Sequence, residues 1–331
     1  MGSHFVEGNE RPKIRIRFVW FFDNNGIQAT FFRGYFESLG YTVEIVKDST
    51  DFCDIEFVGV FRPRKDLLRS KLKRITSKNV LIETDAGMNY PYVYETNTRN
   101  HSYRVWLTTE NVRPPVQEDF DLILSFDQTS LGENHAYFPQ WLMQIGLFGP
   151  ANLNHLGIEA STEDLSKPRK ISGNQMEKRF CCSIFANPHN VRLHAIKVLD
   201  PVIDVFGPYV SKPVKSKFEI ASKYKFMLCF ENDLYPGYVT EKLIEAYLSE
   251  TVPLYWGDLG NDDMINRASF VNLKDFSSMS EFIDYVVTMD ESTYKKIYEE
   301  PFLNSKESVE EFFDKLSQEK LNPLLNRIKY P

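Results

Sequence analysis

At 331 residues, with 42% hydrophobic and 14% aromatic side chains, the chain has enough apolar surface for two packed domains, which excludes a disordered or fibrous protein. A net charge of −7 and an isoelectric point near 5.5 argue against a generic nucleic-acid or anionic-membrane surface, so any anion site must be local. Four cysteines, Cys53, Cys181, Cys182 and Cys229, form no CxxC and no zinc-like spacing with histidine, and His101, His135, His155, His189 and His194 show no metal spacing either.

The first four residues, Met-Gly-Ser-His, read as an expression remnant. Residues 14–22 are rich in β-formers and lead through the loop 23–26 into an amphipathic helix over 28–39, closed by Gly40. Strands are expected over 41–46 and 54–61, a basic-faced helix over 65–75, and a strand over 79–83 followed by a polar loop, 83–90. The basic segment 62–78 reads as a solvated face. Segments 104–108, 122–125 and 137–141 continue the strand pattern. Residues 149–178 turn polar without a sustained period, as a linker does, so the first domain is expected to end near residue 150.

A second alternating set follows: strand 179–185, helix 191–199, strand 202–206, short helix 218–222, strand 224–230, helix 241–249, and strands 253–256 and 270–272. After residue 280 the chain reads as charged helices with Phe282, Val286, Tyr294, Ile297, Phe312 and Leu316 as buried positions. Alternation of this kind predicts an α/β protein with parallel sheets in two halves. No run of ~18 apolar residues marks a membrane span, so a soluble, cytoplasmic chain is expected, with a membrane stem beyond this sequence as the alternative.

The most informative stretch is 223–257. Asn232, Tyr238, Glu241 and Lys242 fall on the loop and first helical turn after one strand, where side chains can converge on a ligand. A lysine at a helix N-terminus is unfavourable unless an anion sits beside it. Thr240 is positioned to cap that helix, and the loop from Asp233 to Gly237 has the Pro and Gly of a turn close to a bulky ligand. The pattern suits a nucleotide diphosphate, although an ordinary connection with a surface Glu-Lys pair has the same spacing. It is neither a Walker loop nor GxGxxG.

The run FENxxxxGYVTEKLxxAYxxxxVPLYWG over 230–257 closely resembles the signature of the α1,3-fucosyltransferases, glycosyltransferase family ten. Ser269-Phe270-Val271-Asn272, Asp275-Phe276 and the upstream FCCSIFANPHNVR over 180–192 extend it. The resemblance implies a GT-B architecture, two Rossmann-like domains facing across a cleft: an acceptor-binding domain over 1–150 and a GDP-fucose-binding domain over 151–331, whose final helices could return to the first. It implies that Arg192 and Lys242 neutralise the pyrophosphate, with Asn232, Tyr238 and Glu241 on ribose or fucose hydroxyls. Fixed cations can stabilise a departing diphosphate, and no DxD motif precedes the donor loop, so no metal cofactor is expected.

Thr108-Thr109-Glu110-Asn111 resembles the family segment whose glutamate is the general base, which makes Glu110 the catalytic candidate. Asp127 and Trp141, in a region similar to the family's Asp and aromatic-Pro-Trp segment, are acceptor-side candidates, with core packing the competing role for Trp141. The resemblance thus implies an inverting transferase moving L-fucose from GDP-fucose to the 3-OH of N-acetyllactosamine. A second reading keeps the donor and changes the glycan acceptor. A third, a non-catalytic nucleotide-sugar or glycan-binding module, has no need of Glu110. Partners on any of these readings are GDP-fucose and a glycan, not nucleic acid.

Overall fold

The structure, a computed structural model, describes residues 11–21, 26–48, 51–60, 101–114, 119–148, 160–171 and 173–328. The helix expected over 65–75, the strand over 79–83, the loop 83–90, the basic segment 62–78 and the boundary near 150 lie outside these residues. The chain forms two compact units, one of residues 1–125, 131–136 and 320–331, the other of 126–130 and 137–319.

In the first unit β1 (Lys13–Val19), β2 (Thr42–Ile45), β3 (Cys53–Val58), β4 (His101–Leu107), β5 (Leu122–Ser125) and β6 (His135–Tyr137) form one sheet in the order β2-β1-β3-β4-β5-β6. The pairs from β2 through β5 are all parallel. Helix α1 (Ile27–Ser38) buries Phe31, Phe32, Tyr35 and Phe36 at helical spacing, and Phe32 lies 4.2 Å from Phe57 of β3. Each such ring taken out of water contributes about 1.5–3 kcal/mol. The helix ends as its sequence predicts. Gly40 takes φ +90°, its N–H donates to the Glu37 carbonyl, and the Tyr41 N–H donates to that of Phe36, the 5→2 and 6→1 bonds of a Schellman motif. Within the sheet Arg17, Glu56 and Arg104 lie side by side in register, and Glu56 accepts from both arginines at 2.7–3.2 Å. The short helix α9 (Asn322–Leu325) belongs to this unit, where Asn322 Oδ1 accepts from the Tyr35 hydroxyl.

The second unit carries β7 (Arg179–Ile184), β8 (Ile203–Phe206), β9 (Tyr224–Leu228), β10 (Val252–Tyr255) and β11 (Val271–Asn272) in the order β8-β7-β9-β10-β11, all parallel. Its helices are α2 (Thr162–Leu165), α3 (Asn190–Leu199), α4 (Lys217–Ala221), α5 (Glu241–Leu248), α6 (Met279–Val287), α7 (Glu291–Glu299) and α8 (Lys306–Leu316). Strand residues Cys181, Phe226, Leu228, Val252 and Leu254 pack with Ala195 and Leu199 of α3, Phe282 and Val286 of α6, and Tyr294 and Tyr298 of α7. Near-continuous apolar strands are what a parallel sheet covered on both faces requires. Ser161, Ser216, Ser278, Asp290 and Ser305 cap α2, α4, α6, α7 and α8 by accepting from the third backbone N–H. Helix α5 is different, as described below.

Two expectations shift. The strand expected over 137–141 is His135–Tyr137 followed by a 3-10 turn, Gln140–Gln144, because Pro139 between them has no N–H to continue a ladder. In α7 and α8 Tyr294 and Leu316 are buried as expected, but their buried neighbours are Tyr298 and Phe313, while Ile297 and Phe312 are half-buried. All four cysteines are buried free thiols, and burial pushes Cys53 up to about 12, so none is poised as a nucleophile. No helix among the described residues is long and apolar enough to cross a membrane.

Candidate anion-binding site

The strand order of the second unit creates a switch point. From β7 the chain runs through α3 to β8 on one side of the sheet, then crosses to β9 on the other side of β7. The carboxyl ends of β7 and β9 are therefore where connections diverge and open α/β sheets leave room for ligands. Arg192 enters here from the first turn of α3 and is 3% exposed. Its guanidinium donates to the carbonyls of Asn187, Phe230 and Glu231 and, at 3.3 Å, to the Asn232 side-chain oxygen. One cation thus ties the ends of β7 and β9 together. Burial lowers its pKa, and Glu231 pulls in the opposite direction.

Eleven residues after Glu231, Lys242 lies in the first turn of α5 with its side chain 19% exposed. Its ammonium is 3.2 Å from Glu231 Oε2 and 3.1 Å from Glu241 Oε1, and it donates to Thr240 Oγ1 at 2.8 Å. Two carboxylates of the chain supply the negative charge that the sequence left wanting beside this lysine. Burial alone would push the Lys242 pKa down, but Glu231 and Glu241 outweigh it and hold the ammonium above the ordinary lysine range. For Glu241 burial pushes up, and the Lys242 and Lys217 ammoniums outweigh it, holding the carboxyl at about 2.

Glu231 is the hub. It is 0% exposed, and its Oε1 accepts from the Thr240 N–H at 2.9 Å and the Tyr255 hydroxyl at 3.1 Å, while Oε2 accepts from the Thr240 hydroxyl at 2.7 Å. This explains the exception at α5: Thr240 occupies the N-cap position but makes no side-chain cap bond, because its hydroxyl serves Glu231. The sequence reading of Thr240 as the cap is corrected on this point. Glu231 and Tyr255 were given no role in the sequence reading; a carboxylate just past an apolar strand reads as solvated, and only the fold shows that it faces Lys242.

The loop between them is fixed by the segment just after β5. Asp127, 4% exposed, accepts from the Tyr235 hydroxyl at 3.0 Å, and Phe126 packs on Tyr235 and Tyr238. Tyr238 is fully buried. Gly237 has φ +84°, and a Cβ there would lie 2.4 Å from the Phe126 carbonyl oxygen. Replacing Gly237 by alanine is therefore expected to cost about 1–3 kcal/mol, measurable as a lower urea midpoint at unchanged m. A wild-type midpoint would show that the close approach is not maintained in solution. Trp141, expected on the acceptor side, is 0% exposed and donates its indole N–H to Asp262 at 2.8 Å, beside the Tyr137 hydroxyl at 3.1 Å. As placed, its ring presents no face on which a sugar could stack; it serves the core.

Glu110 lies in the first unit, three residues beyond β4, and is half-buried. The turn around it is anchored by Thr108, 1% exposed, whose N–H donates to the Leu124 carbonyl at 3.0 Å and whose hydroxyl accepts from the Trp106 indole N–H at 2.8 Å. The Val112 N–H closes it on the Glu110 carbonyl at 2.6 Å, and Asn111 Oδ1 accepts from Arg113 at 3.2 Å. The side-chain base candidate thus sits on a pinned turn at the carboxyl end of a central strand. Among the described residues no three His, Cys, Asp or Glu side chains are grouped to hold a metal.

The fold is that of a GT-B glycosyltransferase: a crystal structure of an α1,3-fucosyltransferase superposes with a TM-score of 0.62 at 22% identity, covering 96% of this chain and 93% of the other. A structure of such an enzyme with GDP-fucose gives 0.61 at 20% identity, covering 95% and 93%. Residues 176–317 match the family described as glycosyltransferase family 10 (fucosyltransferase), C-terminal. The α-(1,3)-fucosyltransferase FucT of Helicobacter pylori is 30% identical over 257 residues, 66% of this chain and 51% of that protein. The mouse 4-galactosyl-N-acetylglucosaminide 3-α-L-fucosyltransferase 9 is 32% identical over 120 residues, 34% of this chain and 32% of that protein. The chain thus spans about half, or less, of the length of these relatives.

Proposed function

We propose that this chain is an inverting fucosyltransferase that moves L-fucose from GDP-fucose to a hydroxyl of a GlcNAc-containing glycan, the 3-OH of N-acetyllactosamine. The observation that carries the reading is the pair of fixed cations, Arg192 and Lys242, at the switch point of a family 10 domain. A diphosphate gathers negative charge as the fucosyl bond breaks, and cations already in place stabilise that charge without reorganising. Asn232 and Glu241 bind ribose or fucose hydroxyls, while Tyr238, expected beside them, is 0% exposed and packs on Phe126. Glu110 takes the proton from the acceptor hydroxyl as it attacks the face opposite GDP, turning the β-linked donor into an α-linked product. Residues 1–150 read the acceptor and 151–331 hold the donor. The acceptor choice draws support from the mouse relative, whose name specifies a galactosyl-N-acetylglucosaminide.

A second reading, the same donor with another glycan acceptor, is favoured by one fact: the family match begins at residue 176, so the half assigned to the acceptor lies outside it. Both are tested by incubating the protein with GDP-fucose, alone and with N-acetyllactosamine, lacto-N-biose or other glycans, and following GDP. Release that depends on acceptor is expected, fastest with N-acetyllactosamine. Fastest release with another glycan selects the second reading, and no release with any glycan while GDP binds contradicts catalysis.

A further inference from the structure

Arg192, Lys242, Glu231 and Glu241 sum to zero charge, although a site built only to hold a diphosphate would keep its cations unbalanced. Glu241 is partly exposed and can turn to a ligand, whereas Glu231 cannot: it is 0% exposed and both its oxygens are occupied by Thr240, Tyr255 and Lys242. A buried carboxylate against the ammonium that meets the phosphates holds that ammonium in place. It also repels the phosphates from one ammonium's remove, in a low-dielectric setting where the repulsion is felt. We propose that Glu231 is a positioning residue that holds Lys242 in place and tempers the positive charge of the site, so that the GDP product can leave. The inference rests on the reading of this site as the one that binds GDP.

Two effects of Glu231→Gln oppose each other, and their sizes decide the outcome. The amide keeps the volume, and its oxygen still accepts from the Thr240 N–H and the Tyr255 hydroxyl, while Glu241, 3.1 Å from Lys242, still anchors the ammonium. Loss of the negative charge therefore outweighs loss of the hold. GDP affinity is expected to rise about tenfold, measured by calorimetry, with a lower donor KM and a lower kcat as GDP is retained. A merely structural role would weaken binding and turnover together, and unchanged or weaker GDP affinity in the variant overturns the proposal. If the single variant does not fold, Lys242→Met is compared with Glu231→Gln/Lys242→Met, in which the buried pair is removed as a unit. The double variant is expected to bind GDP about tenfold more tightly than the single one; equal or weaker binding overturns the proposal. Absence of GDP binding by the wild-type protein would fell the donor reading itself and this inference with it, an outcome distinct from normal wild-type binding and an unresponsive variant.

Discussion

Replacing Glu110 by glutamine is expected to lower kcat by about 10²- to 10⁴-fold and leave GDP affinity unchanged. The substitution keeps size and shape and removes the negative charge together with the ability to take a proton. The turn that carries Glu110 is held by backbone bonds and by buried Thr108, all of which the substitution leaves in place. The donor-site cations belong to the other unit and come from α3 and α5. Steady-state kinetics with saturating GDP-fucose and acceptor, beside calorimetry with GDP, checks the split. A kcat near wild type would remove Glu110 from the role of base, and a parallel loss of GDP affinity would mean that the substitution disturbs more than proton transfer.

Replacing Lys242 by alanine is expected to weaken GDP binding by about 10- to 100-fold and to lower kcat/KM at least as much, the size of a lost charge-assisted contact to a phosphate. The substitution does more than delete an attraction. It leaves Glu231 and Glu241 without their shared cation, so two carboxylates then face the incoming diphosphate. It also strands Glu231 in a fully buried position, where an unpaired charge costs about 3–5 kcal/mol of stability. A thermal melt should therefore show a lower midpoint, and GDP should raise that midpoint less than it does for the wild type. GDP affinity at the wild-type level in calorimetry would show that Lys242 does not meet the phosphate.

The second half of the chain was the more legible, for a physical reason. Parallel strands covered on both faces are short apolar runs bounded by turn residues, and segments such as 179–185 and 224–230 were placed to within two residues of Arg179–Ile184 and Tyr224–Leu228. The end of α1 was legible because only a residue tolerant of positive φ closes a helix in the way Gly40 does. The 137–141 segment was misread because its aromatic run looks like a strand until the missing N–H of Pro139 is taken into account. Ile297 and Phe312 were preferred to Tyr298 and Phe313 because adjacent apolar residues leave the phase of a helix undetermined by one position.

Within the site, the residue types and their spacing were legible but their partners were not. Strand order is absent from the sequence, and Arg192 meets the carbonyls of Phe230 and Glu231 only because β7 and β9 are neighbours despite the intervening β8. Lys242 was legible as a lysine in want of an anion, whereas Glu231, which provides one, was hidden by its place just past a strand. Trp141 shows the converse. Its aromatic character suggested a sugar platform, but the indole N–H had a buried carboxylate to satisfy, and Asp262, more than a hundred residues away in the sequence, holds it in the core.

The measurement that bears most directly on the central claim is proton NMR of the product formed from GDP-fucose and N-acetyllactosamine. The account predicts a single α-linked fucoside on the GlcNAc 3-OH, with GDP released in equal amount. A β-linked fucoside would contradict inversion with Glu110 as base, and no fucoside from any GlcNAc-containing glycan, with GDP bound, would contradict the assignment of the chain as a fucosyltransferase.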